Sequence, residues 1–298
     1  MAIEQSTNTE QIASHFYLAA WIDLLGQRRL LDAAPIFPKS PSELEKLERP
    51  FKNLSQFRDA VRSTHDTLNA NVKAPTDKTF TPEQLAVLNK YGTAEVHLNF
   101  ISDAALFWVK FEDRPDYHPA RSIHIVLQQL SSLMTSLIGK GLPLRSGIDA
   151  GRCLRVKDEG GIYGQAVANA YALESRCAEY PRIVIGKRFL EYIDHLKLLL
   201  PHYPPNEQPV LKGLLENIEA VISKDSDGMP ILDYLAMFLE VTKKNEEARK
   251  SSLEPAVAFI IKEIERFDKE NDVILFKRYS LLMDYFKRKD CWEKYFDG

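Results

Sequence analysis

Apolar residues along this chain fall into blocks whose period switches between two and about three and a half, and the switches mark the elements. Phe16-Tyr17-Leu18-Ala19-Ala20-Trp21-Ile22 is a short apolar run closed by Asp23, followed by Leu24-Leu25-Gly26 and the polar Gln27-Arg28-Arg29. That order predicts a strand, a tight turn and a helix. From residue 35 to 82 the pattern is mixed and charged, with helices expected near 42–48, 54–68 and 82–91, and it reads as an insertion rather than core. Val96, Leu98 and Phe100 alternate, Ser102-Asp103 interrupts, and a second apolar run fills 104–109. This is the outline of a β-hairpin with Asp103 at its tip.

Ile123, Val126, Leu127, Leu130, Met134, Leu137 and Ile138 recur at helical spacing and stop at Gly141, which predicts an amphipathic helix over 119–140 packed on a sheet. A strand over 144–154 with Gly147 and Gly151, a loop at 158–161, a helix over 165–178 and a strand over 182–185 follow. Asp227-Gly228 ahead of 230–235 predicts the last strand; beyond Tyr234 the chain is rich in Leu, Lys and Glu at helical period. The class is α+β, with one domain over 14–235 carrying a helical insertion at about 36–92, and a helical C-terminal extension over 236–298.

The 298 residues are 45% hydrophobic and 27% charged, ordinary globular material, and the formal net charge of −3 argues against binding nucleic acid through the overall field. Any polyphosphate site must be local. Cys153, Cys177 and Cys291 are odd in number and far apart, so neither a disulfide framework nor a zinc ligand set is suggested. The first ten residues lack the pattern of a signal peptide and the 16–25 run is too short to span a bilayer, so a cytoplasmic protein without a membrane partner is expected. His15, His97, His118, His124 and His195 show no ligand spacing and read as surface or packing residues.

Four segments, in order across roughly 14–195, resemble the class III nucleotidyl cyclases. Trp21-Ile22-Asp23-Leu24-Leu25-Gly26 matches the family's opening strand, aspartate and glycine turn; Ile101-Ser102-Asp103 stands where its hairpin carries a second aspartate, usually after glycine. Arg145-Ser146-Gly147-Ile148-Asp149-Ala150-Gly151 fits its central Arg-x-Gly-Ile-x-x-Gly strand, and Tyr163-Gly164 with Leu173-Glu174 bracket its dimerisation helix. The resemblance implies a ferredoxin-type sheet flanked by helices and a homodimer with composite sites. The reaction it implies is attack of a ribose 3′-hydroxyl on the α-phosphate of a nucleoside triphosphate, with two divalent cations, Mn²⁺ or Mg²⁺. Asp23 and Asp103 are then the metal carboxylates, the Leu24 carbonyl completes one metal shell, and the backbone N–H groups of Leu25, Gly26 and Gln27 cradle phosphate oxygens.

The chain departs from the family in two places. Purine cyclases carry an asparagine and an arginine four residues apart on the dimerisation helix, where Ala168 and Ala172 stand here; Asn169, one residue displaced, becomes the candidate transition-state residue, and Arg176, Lys187 and Arg188 candidate phosphate partners. The positions that read a purine hold Asn99 and Gly161. An asparagine amide donates and accepts, which suits uracil or cytosine, and the pattern resembles the pyrimidine cyclases of bacterial Pycsar antiphage systems. Uridylate cyclase activity, UTP to cyclic UMP, is the favoured expectation; a cytidylate cyclase, a purine cyclase with a rearranged pocket and a catalytically silent nucleotide-binding module are the alternatives.

Overall fold

A computed structural model describes residues 14–73, 81–91, 94–112, 117–155 and 160–289. Cys291, the end of the C-terminal extension and the first half of the 158–161 loop lie outside the described residues. Strand β1 (His15–Leu24) is followed by the short helix α1 (Gln27–Asp32), the long helix α2 (Pro41–Lys73) and α3 (Pro82–Lys90). The hairpin β2 (His97–Ile101) and β3 (Ala104–Phe111), helix α4 (Ala120–Gly139) and strand β4 (Leu144–Arg155) come next. The four strands pair antiparallel in the order β2-β3-β1-β4, with helices between β1 and β2 and between β3 and β4. This is the βαββαβ order of a ferredoxin-type sheet, as expected from the sequence. Short β5 (Ile162–Gly164) pairs with β4, and β6 (Ile183–Ile185), β8 (Pro230–Leu232) and β7 (Ile222–Lys224) continue the sheet beyond it.

The alternation in β1 assigns the two faces. Leu18, Ala20, Ile22 and Leu24 point into the large core beneath α4, whereas Tyr17, Ala19 and Trp21 join Leu106, Trp108 and Ala170 in a smaller cluster under helix α5 (Gln165–Cys177). Asp23 continues the second set, so it faces α5.

Three differences from the expected elements have physical causes. The separate helices near 42–48 and 54–68 are one helix, because Pro50 is buried and Leu54, Phe57 and Val61 follow it at core-facing spacing; burial against α4 outweighs the lost backbone bond, about 3 kcal/mol. Helix α4 is buried nearly all round, Ser122, Gln129, Ser131 and Thr135 included, because α8 (Tyr234–Val241) and α9 (Glu246–Lys269) cover the stripe that the pattern left for water. Ser131 and Thr135 satisfy their hydroxyls on the carbonyls four residues back, at 2.8 and 3.0 Å. The strand expected over 230–235 ends at Leu232, since Asp233 accepts from the Ala236 N–H and caps α8. Helices α6 (Lys187–Leu199) and α7 (Gln208–Ala220) close one side, and α10 (Val273–Lys287) packs on α9.

Candidate active site

Asp23 lies one residue from the end of β1, directly between Ala104 of β3 and Arg145 of β4 in the ladder. The Leu24 N–H donates to the Asp103 carbonyl at 3.4 Å, which ties the strand end to the hairpin tip. Ser102, the first of the two turn residues, has φ 56°, a left-handed conformation that favours glycine, and its carbonyl accepts from Arg58 Nη2 at 2.8 Å. Gly26 follows with φ 85° and turns the chain into α1. The Leu25 N–H is already donated to the Pro143 carbonyl at 3.0 Å. Of the three N–H groups expected to cradle phosphate, those of Leu25, Gly26 and Gln27, the first thus has a partner within the chain.

The geometry adds two groups whose part in this site the sequence pattern did not reveal. Arg145 donates to Asp23 Oδ2 from Nη2 at 3.2 Å, and its Nε stands 2.5 Å from Glu174 Oε1. Glu174, in the last turn of α5, is almost wholly buried, and burial together with the charges of Asp23 and Asp103 lifts its carboxyl to about 7 despite Arg145. Burial also raises Asp23; Arg145 opposes the shift and Asp103 adds to it. Two carboxyl groups thus share one arginine, with the charge of Asp103 acting on both. Among the described residues no group of three or more His, Cys, Asp or Glu could hold a metal ion; the expected donors, Asp23 and Asp103, are near enough for the charge of Asp103 to raise Asp23. Hard oxygen donors with uncompensated negative charge fit Mg²⁺ or Mn²⁺.

A second cluster sits farther along the same face. Asp149, four residues beyond Arg145 and so about 13 Å along the strand, is buried and accepts from the Phe189 N–H at 2.8 Å and from Asn169 Nδ2 at 3.0 Å. These groups line an open cleft of about 860 Å³ with Arg176, Lys187 and Arg188. Lys187 and Arg188 occupy the first turn of α6, where cations meet the positive end of the helix and cost about 0.3–1 kcal/mol each. The structure does not bring Asn169, Lys187 or Arg188 to Asp23. Helix α5 crosses between them: a Cβ on Gly147 would lie 2.2 Å from the Ala170 carbonyl oxygen. Ala168 is exposed and Ala172 lines the basic cleft.

Asn99 lies on β2 in the row Asn99–Leu106–Trp21–Gly147, next to the row of Asp23 on the same face. Trp108 Nε1 donates to Asn99 Oδ1 at 2.7 Å, and Asn99 Nδ2 donates to the Gly160 carbonyl at 3.3 Å. An indole N–H only donates, so this contact fixes which end of the amide is oxygen. His97 stacks on the Trp108 ring with centroids 3.9 Å apart and holds it in place.

No family model matches the chain, and neither does any curated protein. Solved structures similar to it include a bacterial light-regulated adenylyl cyclase (9% identity, TM-score 0.40, covering 78% of this chain and 98% of that one). The guanylyl cyclase domain of the RhoGC fusion protein from the aquatic fungus Blastocladiella emersonii is another (13%, 0.39, 61% and 88%). A third is a class III adenylyl cyclase-like ATP-binding protein from Pseudomonas aeruginosa (14%, 0.43, 78% and 44%).

Proposed function

We propose that the chain is a nucleotidyl cyclase that works as a two-fold homodimer and converts UTP to 3′,5′-cyclic UMP and pyrophosphate. The observation that carries this reading is the division of one sheet face into an acidic end at Asp23 and Asp103 and a basic cleft at Asn169, Lys187 and Arg188, with α5 lying between them. A triphosphate cannot run straight from one to the other within a copy, because the Ala170 backbone blocks the path over Gly147. A two-fold partner that sets its cleft against the acidic end completes two equivalent sites. The outward side of α5 supports such an interface, since Tyr171 is half-exposed and packs edge-on against Trp21 with centroids 5.2 Å apart.

Asp23, Asp103 and the Leu24 carbonyl would hold two divalent cations, which when bound lower the pKa of the 3′-hydroxyl and neutralise the triphosphate. Arg145 then turns from Asp23 to Glu174, which already meets its Nε. Gly26 and Gln27 present N–H groups to phosphate oxygens, while Lys187 and Arg188 from the second copy take the charge of the leaving pyrophosphate and Asn169 contacts the pentavalent phosphorus. Asn99, its carbonyl held by Trp108, turns an N–H toward the base and so favours an acceptor such as uracil O4 over the N4 donor of cytosine. By resemblance, cyclic UMP made this way serves as a signal in antiphage defence.

A catalytically silent nucleotide-binding module draws on one observation, that Arg145 already neutralises Asp23. Incubation with Mn²⁺ and each of the four triphosphates, with products identified by mass, separates the readings. UTP is expected to give the fastest cyclisation, CTP less, ATP and GTP little. Equal turnover of purines overturns the base assignment; nucleotide binding with no cyclic product overturns the enzyme.

A further inference from the structure

At the Gly26 turn lies a cavity of about 470 Å³ between α1, α2 and the C-terminal helices α9 and α10. Its walls are apolar and aromatic, with Phe259, Phe267, Leu275 and Tyr279 opposite Leu30. Four arginines and two glutamates line it as well, and their pairing is uneven. Arg29 is held by Asp272 at 2.9 Å and Glu270 at 3.2 Å, and Arg266 by Glu263 at 2.6 Å. Arg49 and Arg278 form no ion pair among the described residues. Glu263 is buried and paired with Arg266; burial raises its carboxyl, and the charges of Arg266 and then Arg49 oppose that shift, so it offsets Arg49 only in part and Arg278 not at all. The cavity therefore combines an apolar and aromatic lining with two guanidinium groups that form no ion pair among the described residues, and its volume is that of a site for a small organic ligand. A guanidinium in such a setting pairs with carboxylate, sulfonate or phosphate.

We infer that this cavity binds a small organic anion with a flat apolar body, its charged group between Arg49 and Arg278 and its body against Phe267 and Tyr279. The ligand is an effector rather than a substrate, because none of Asp23, Asp103, Arg145 or Asn99 lines the cavity, whereas Leu25, Gly26 and Gln27, which follow Asp23 in the chain, do. The ion pairs from Arg29 to Glu270 and Asp272 couple α1 to the same helices that close the cavity. Filling the slot changes how firmly α1 is held, and with it the turn at Gly26. The effector role rests on the cyclase reading; the binding site does not.

The test uses the full chain and 8-anilinonaphthalene-1-sulfonate, a sulfonate on an aromatic body, beside its uncharged analogue N-phenyl-1-naphthylamine. Fluorescence titration is expected to give saturable 1:1 binding of the sulfonate per chain, at least 10-fold tighter than the neutral analogue. Arg49→Gln with Arg278→Gln should weaken the sulfonate 10-fold or more with an unchanged circular dichroism spectrum, and Leu30→Trp, which fills the slot, should remove both compounds. Hydrogen exchange of residues 25–32 should slow when the sulfonate binds, a readout independent of cyclisation. Equal affinity for the two compounds, or binding unaffected by the double substitution, overturns the site. Binding that leaves exchange at 25–32 unchanged overturns the effector role. A cyclase assay that fails while sulfonate binding behaves as expected would overturn the reading of the Asp23 site and leave this one standing.

Discussion

The acidic end and the basic cleft meet strand β4 at Arg145 and at Asp149, yet their residues are committed in opposite ways. At the acidic end Asp23 and Glu174 share Arg145 while the charge of Asp103 acts on both, so negative charge is left over. In the cleft Asp149 is satisfied by Asn169 and the Phe189 N–H and Glu191 pairs with Lys187 at 3.2 Å, which leaves Arg188 and Arg176 without an ion pair among the described residues. One end lacks positive charge and the other has it in excess. In the proposed homodimer each end would complete the other. Asn169 has two duties in this view: within its own copy it holds Asp149, and across the interface it is offered to a partner's substrate.

The largest effect expected on this contrast comes from the carboxylates themselves. Asp23→Ala or Asp103→Ala should lower cyclisation by at least about 1,000-fold, roughly 4 kcal/mol of transition-state stabilisation, with the fold intact by circular dichroism. Mixing Asp23→Ala with a Lys187→Ala, Arg188→Ala chain should restore activity to about a quarter of wild type if acidic end and cleft come from different copies, since a quarter of all sites then pair two intact halves. No recovery after demonstrated subunit exchange would put both halves in one chain.

Gly147 is where α5 keeps the two ends apart. A methyl group there would meet the Ala170 carbonyl oxygen and the Glu174 backbone, so Gly147→Ala must lift the helix. Such overpacking costs about 3 kcal/mol, or roughly 5–10 °C in Tm, and calorimetry should read it together with loss of the dimer in sedimentation. An unchanged Tm would mean that α5 does not rest on β4 as described.

Base choice is expected to move by about 100-fold. Asn99→Ala should drop discrimination from the roughly 10⁴ of a hydrogen-bonding site to the 10–200 of shape alone, measured as the ratio of kcat/KM values. Trp108→Phe keeps the ring under His97 but releases the amide, so UTP turnover should persist while preference over CTP is lost. If Trp108→Phe keeps the preference, the amide is not set by the indole.

Much of the scaffold was legible in the sequence and the pairing of side chains was not. The alternation of β1, the Ser102-Asp103 turn and the helical spacing of 165–178 each follow from local period, so strand, hairpin and helix emerge from it. The helix α6 and the strand β7 escaped because Lys187–Leu199 mixes charge into its apolar stripe and Ile222–Lys224 is only three residues long. Arg145 and Glu174 were both visible as motif residues, 29 positions apart, but their contact exists only because α5 folds back over Gly147. Asn99 could be singled out by position, whereas the indole that fixes its amide comes from the neighbouring strand, nine residues on.

Glu174 offers a smaller test of the acidic end. Its carboxyl is raised to about 7 from an ordinary 4.5, so the folded protein holds that proton more tightly than the unfolded chain. The stability it contributes is full below about pH 4.5 and is lost as pH rises through 7. Glu174→Gln removes the titration while keeping the shape, so the difference in Tm between variant and wild type should grow in the variant's favour from pH 5 to pH 8. A difference that does not change with pH would mean that Glu174 stays ionised in its pairing with Arg145.

The smallest effect lies at the tip that carries Asp103. Ser102 holds φ 56°, which for a residue with a side chain costs roughly 1 kcal/mol, and the conformation persists because Arg58 grips its carbonyl while Arg58 and Arg62 both lie over the Phe100 ring, at 5.2 and 5.0 Å. Helix α2 therefore braces the acidic end against a strain that has no counterpart among the cleft residues. Ser102→Gly should relieve the strain in the folded state but enlarge the freedom of the unfolded chain, and the two terms nearly cancel, leaving a gain of no more than about 1 kcal/mol. The informative variant is Ser102→Gly combined with Arg58→Ala: with glycine present the brace is no longer needed to hold the turn, so loss of Arg58 should cost less stability than it does beside serine. A double-mutant cycle in urea that shows no coupling between the two positions would mean that the turn holds its conformation without α2, and that Asp103 is placed by the hairpin alone.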